Sequence, residues 1–101
     1  MWVSVGPASD IAPGDYAQTE IDGRLVAVFN VAGEFYAIED VCTHDGGGLT
    51  GGVIDGDKVI CPRHGAKFCL RTGAALTPPA YEPVPTYLTR VRDGIVEVAG
   101  E

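Results

Sequence analysis

The chain is poor in the residues that most functions need: seven lysines and arginines against fourteen aspartates and glutamates, two histidines and three cysteines in 101 residues. Each shortage excludes something. A net charge of −7 leaves no basic cluster to neutralise phosphates, so nucleic acid is not an expected partner. No apolar run approaches the roughly eighteen residues that cross a bilayer, so no membrane association is expected. The opening "MWVSVGPASD" lacks a basic segment followed by an apolar one, and the sequence predicts a cytoplasmic protein. An odd number of cysteines without an export signal argues against a disulfide framework and for metal or thiol chemistry. Sustained three-to-four-residue apolar spacing is almost absent, which removes helices from the expected core.

What is present is a β pattern. Hydrophobic residues make up 46% and charged residues 21% of the sequence, enough to fold, and the length suits one domain spanning 1–101. "WVSV", "YAQTEI", "RLVAVFN" and "FYAIE" read as successive strands. Asp22-Gly23 and Asp93-Gly94 mark two-residue hairpin turns, Ala32-Gly33 a slightly longer one, and "VIDGDKVI" repeats the device around Asp55-Gly56. "ASDI", after Pro7, is the one candidate helical turn. Residues 42–52 and 77–85 are irregular; the latter holds four prolines in "TPPAYEPVP", a stiff loop or edge. The fold class expected is all-β.

Between the strands lies "CTHDGGGLTGGVIDGDKVICPRHG". Cys42 and His44 form one short pair, Cys61 and His64 another, and each pair sits where a loop leaves a strand. Both histidines and two of the three cysteines are used, a concentration that points to metal ligation. Two cysteines with two histidines could hold a tetrahedral structural zinc, as in an adaptor module. Zinc sites of that composition usually draw a cysteine pair and then a histidine pair, whereas here each loop supplies one of each. A two-iron, two-sulfide cluster with one Cys-ligated and one His-ligated iron uses this mixture directly. Gly46, Gly47, Gly48, Gly51 and Gly52 would let the backbone approach the bridging sulfides.

The run "CTH" followed by "CPRHG" resembles the Rieske family, most strongly from Phe35 to Gly73. The resemblance implies an antiparallel β base built from both chain ends, with a small cluster-binding subdomain of about residues 41–80 inserted. It implies a [2Fe-2S] cofactor, with Cys42 and Cys61 on the inner iron and His44 and His64 on the outer one. "TPPAYEP" matches the loop that covers the cluster. Respiratory members add one cysteine to each ligand loop and join them by a disulfide; Gly47 and Arg63 stand there, so no clamp is expected. Ala66 and Phe68 replace hydroxyl donors to the sulfides, which implies a low potential.

These departures are similar to the ferredoxins that serve ring-hydroxylating oxygenases, and to those encoded beside iron–sulfur assembly genes. With both histidines assigned, no ligands remain for the mononuclear iron of an oxygenase, and no nucleotide or nucleophile motif is present. The expectation is a monomeric one-electron carrier, not an enzyme, taking electrons from a reductase and passing them to an oxygenase-type acceptor. Cys69 is expected to be a half-buried strand residue and no ligand. Arg63 is expected to face outward, either pairing with a partner's acid or simply solvated.

Overall fold

The longest apolar stretch, "LVAVFNV", becomes a strand buried on both faces, and the rest of the fold is arranged around it. The computed structural model describes residues 1–100. Its strands are β1 (Val3–Pro7), β2 (Tyr16–Ile21), β3 (Arg24–Val31), β4 (Glu34–Glu39), β5 (Ile54–Asp55), β6 (Lys58–Ile60), β7 (Lys67–Cys69), β8 (Thr86–Arg92) and β9 (Ile95–Gly100). "ASDI" supplies one 3-10 turn, Ala8–Asp10. The strand expected at Trp2 begins one residue later, at Val3, and runs on to Pro7.

Six strands form an antiparallel sheet in the order β1-β9-β8-β4-β3-β2, so the two ends of the chain pair with each other. β5, β6 and β7 form a second, three-stranded sheet. Between β2 and β3, β3 and β4, and β8 and β9 the pairing closes as Ile21 with Arg24, Val31 with Glu34, and Arg92 with Ile95. All three are therefore two-residue hairpins, including the one at Ala32-Gly33 for which a longer loop was expected. Both central residues of each turn have positive φ, the conformation whose twist matches the strands it joins. At 53°, Ala32 adopts it without glycine's freedom. Asn30 braces that turn, accepting the Gly33 N–H at 2.8 Å and donating to the Ile11 carbonyl at 2.7 Å.

Alternation along β3 and β4 divides the core in two. Val26, Val28 and Ala37 point to one face of the large sheet, where they cluster with Ile11, Val96 and Val98. Ala27, Phe29 and Ile38 point the other way, onto Leu49, Val59, Ala66, Phe68 and Leu70 of the segment between β4 and β8. Each large side chain buried there contributes about 1.5–3 kcal/mol, so burial fastens this second layer to the base. Cys42 and Cys61 belong to the same buried cluster.

Candidate metal centre

Each cysteine opens a loop of the same construction. Cys42 N–H donates to the Gly47 carbonyl at 2.6 Å, and Gly46 N–H returns to the Cys42 carbonyl at 2.7 Å. In the second loop Cys61 N–H donates to the Ala66 carbonyl at 2.7 Å, and Gly65 N–H returns to the Cys61 carbonyl at 3.0 Å. Gly46 and Gly65 take nearly the same positive φ, 78° and 75°. The glycine four residues after each cysteine is thus a local signal that accompanies the ligand spacing, and the sequence displays it twice.

The two loops bring the four residues together in an ordered way. Cys42 and Cys61 are 0% and 1% exposed, and their free thiols lie within hydrogen-bonding reach of each other. Outside them, the rings of His44 and His64 meet edge to face with centroids 4.9 Å apart. The His64 side chain is 53% exposed. Soft sulfur donors therefore lie inside and imidazole nitrogens outside, the donor set of a mixed sulfur and nitrogen centre. Burial pushes the Cys42 thiol above its ordinary value. At Cys61 burial acts the same way but is outweighed by the N–H groups of Arg63 and His64, the hydrogen bond with the Cys42 thiol and the Arg63 charge, which together hold that thiol below its ordinary value.

The first loop is held from below by Asp40, which sequence patterning gave no reason to single out. Its Oδ1 accepts the N–H groups of Leu49 and Thr50 at 2.6 and 3.0 Å. Its Oδ2 accepts Gln18 Nε2 at 2.7 Å and the Thr50 hydroxyl at 3.0 Å. The proline-rich loop is tied to the first loop by the Thr43 hydroxyl, which donates to the Glu82 carbonyl at 2.7 Å. Of that loop's tip, Ala80 is buried, whereas Tyr81 is 81% exposed beside it.

Two expectations are refined here. Arg63 is exposed, yet it is not simply solvated: its Nε and Nη2 donate to the two oxygens of Asp45 at 2.6 and 3.0 Å. The loops are therefore linked, though not covalently. Several of the expected glycines also have packing reasons of their own. A Cβ on Gly47 would lie 2.6 Å from the Arg63 guanidinium carbon, one on Gly48 would lie 3.2 Å from Asp40 Oδ1, and one on Gly52 would run into the Ile60 carbonyl. Asp45 comes within 4.8 Å of the donor atoms of Cys42 and His44, but Arg63 and the Gly47 N–H already occupy its oxygens. With Arg63 first and the Gly47 N–H next, its carboxyl is held well below the usual range.

Cys69 lies at the end of β7, half-buried, as its apolar run suggested. Ala66 and Phe68 are fully buried and bring no hydroxyl to the centre.

An antiparallel β base that seats two thiols beneath two surface imidazoles on matched loops is the architecture of an iron–sulfur protein with mixed ligands. Residues 1–88 match the Rieske [2Fe-2S] domain, and the chain belongs to that family. It is similar to the biphenyl dioxygenase ferredoxin subunit of Pseudomonas sp. (strain KKS102), 45% identical over 91 residues, 87% of this chain and 84% of the relative. Among solved structures it resembles a chain of the complex of reduced oxygenase and oxidised ferredoxin in carbazole 1,9a-dioxygenase, with 40% identity, a TM-score of 0.92, and 99% and 94% of the two chains covered. It also resembles the ferredoxin of carbazole 1,9a-dioxygenase from Nocardioides aromaticivorans IC177, with 30% identity, a TM-score of 0.93, and 100% and 99% covered. The cofactor is a [2Fe-2S] cluster, not zinc, and the protein is a ferredoxin-type electron carrier rather than an enzyme in its own right.

Proposed function

We propose that the cluster is held by Cys42, Cys61, His44 and His64, and that the protein takes single electrons from a reductase and delivers them to the terminal oxygenase of a ring-hydroxylating dioxygenase. The observation that carries this reading is the pair of matched loops, which place both thiols in the core and both imidazoles at the tip. Bound there, the cluster supplies the one-electron couple. The protein's own residues do the rest. The apolar wall of Leu49, Ala66 and Phe68 keeps water from the thiols. The exposed histidines bring the centre to the surface, so a partner docked at the tip has the shortest path. The proline-rich loop is tied beside that tip through Thr43 and Glu82, with Tyr81 exposed on it.

The reading extends to the whole chain as one Rieske domain over 1–101, with the cluster-binding subdomain at about 41–80, acting as a cytoplasmic monomer. Among the described residues no helix is long and apolar enough to cross a membrane. A net charge of −7 fits partners with basic docking faces, meeting through a small interface that releases quickly.

The test is composition, spectrum and turnover. Purified protein should contain two irons and two acid-labile sulfides per chain, and when reduced should give the rhombic paramagnetic signal of a Rieske centre. Reduced by a ferredoxin reductase, it should support oxygenase turnover, at a rate that falls as ionic strength rises to the physiological range. Stoichiometric zinc without iron, or replacement of His44 or His64 by alanine that leaves the signal unchanged, would overturn the ligand assignment.

A further inference from the structure

The ion pair between Arg63 and Asp45 joins the two ligand loops at their outer ends. Arg63 lies between Cys61 and His64, and Asp45 immediately follows His44, so each half of the pair is rigidly connected to one imidazole of the tip. The contact is a two-point fork: Nε to Oδ2 at 2.6 Å and Nη2 to Oδ1 at 3.0 Å. The carboxylate is fixed on its own loop by the Gly47 N–H at 2.9 Å, and its Oδ2 lies 3.5 Å from Nδ1 of His64. Apart from the thiol pair, this is the hydrogen-bonded link between the two loops among the described residues. Room for it is provided by Gly47: a methyl there would come within 2.6 and 2.7 Å of the guanidinium carbon and Nη2. A guanidinium is the far end of a flexible side chain, so such a methyl would push it aside and leave the backbone in place.

We propose that Asp45 and Arg63, with Gly47 as the seat, form a non-covalent clamp that positions His44 and His64 and retards loss of the cluster. Its binding energy comes from planar, two-point recognition, which distinguishes arginine from lysine at such a site. An exposed single-point ion pair contributes little, whereas ideal two-point geometry between already ordered partners is the case in which such a pair counts. The pair also keeps the tip electrically neutral beside the histidines. The inference rests on the ligand assignment proposed above.

The experiment is a mutant cycle on the holoprotein, following loss of visible absorbance in excess chelator. Asp45→Asn and Arg63→Gln should each speed cluster loss about fivefold, and the double variant should be no faster than either, because the second substitution has no link left to break. Gly47→Ala, which changes no charge, should speed loss to a similar degree, yet have no effect in the Arg63→Gln background. Arg63→Lys should restore the charge but not the retention. Potentials give a second readout that simple loosening would not produce: Asp45→Asn should raise the midpoint, Arg63→Gln should lower it, and the double variant should return near the parent. Multiplying effects in the double variant, or parental retention in Gly47→Ala, would overturn the clamp. Absence of the rhombic signal from the parent protein would instead overturn the ligand assignment, so the two failures are distinguishable.

Discussion

Replacing Asp40 by alanine tests whether the cluster loops depend on a buried carboxylate in the base. Asp40 accepts four hydrogen bonds, at 2.6 and 3.0 Å from the Leu49 and Thr50 amides and at 2.7 and 3.0 Å from Gln18 and the Thr50 hydroxyl. Leu49 is fully buried, so its N–H has no water to turn to when the carboxylate is gone. An unmet buried donor costs about 1–3 kcal/mol, and each lost bond to a charged acceptor costs a similar amount. Gln18 is exposed and Thr50 half-buried, and both recover part of their loss from solvent. The bonds share one acceptor and do not add in full, so we expect a net cost of about 3–4 kcal/mol. For a domain of this length that lowers the melting midpoint by roughly 15–25 °C. Asp40→Asn keeps an oxygen for the two amides but turns an NH2 toward the Gln18 donor, and should cost about 1–2 kcal/mol. Gln18→Ala should cost under about 1 kcal/mol. The assay is thermal unfolding followed by circular dichroism, with hydrogen exchange of the peptide spanning 40–52 as the local readout. Exchange there should quicken more than exchange in β3 and β4. An alanine variant that melts within about 4 °C of the parent, or an order other than alanine, asparagine, Gln18→Ala, would refute the reasoning.

Cys69→Ser should leave iron content and visible spectrum unchanged; loss of half the iron would show a fifth participant in the site. Burial raises the Cys69 thiol, but the Thr72 hydroxyl and the N–H groups of Thr72 and Arg71 outweigh it, so its pKa lies below the ordinary value. Thiolate is therefore present at lower pH than for a free cysteine, and the alkylation rate of the holoprotein should reach half its maximum below the usual pH of about 8.5. Ala32→Asn places a residue that tolerates left-handed backbone at φ 53° and should stabilise the fold by about 0.5–1 kcal/mol in urea titration; a destabilised variant would show that the turn is not strained. With Ala66 and Phe68 buried and no side-chain hydroxyl from either, the midpoint should lie near the low end of the Rieske range, about −150 mV, and hold steady between about pH 6 and 8. A midpoint above zero in equilibrium titration would contradict that account.

Local chemistry could be read from the residues in order. Asp22-Gly23 and Asp93-Gly94 state their turns because only a few residue types accept positive φ, and the short apolar runs in "RLVAVFN" and "FYAIE", bounded by turn residues, state strands. The two cysteine–histidine pairs are legible for the same reason: four residues of rare types at short spacing carry their meaning without reference to the rest of the chain. The structure alone decided what lies between distant residues. That β1 joins β9 instead of β2 depends on which edges the intervening sheet leaves open. Asp40 looks like any acid at a strand end until folding brings Gln18, Leu49 and Thr50 around it. Arg63 and Asp45 are eighteen residues apart and read as separate surface charges until two loops of the same shape set them face to face. Spacing and backbone preference are properties of a few consecutive residues, whereas a hydrogen bond or ion pair between remote side chains exists only after the whole chain has settled which surfaces meet.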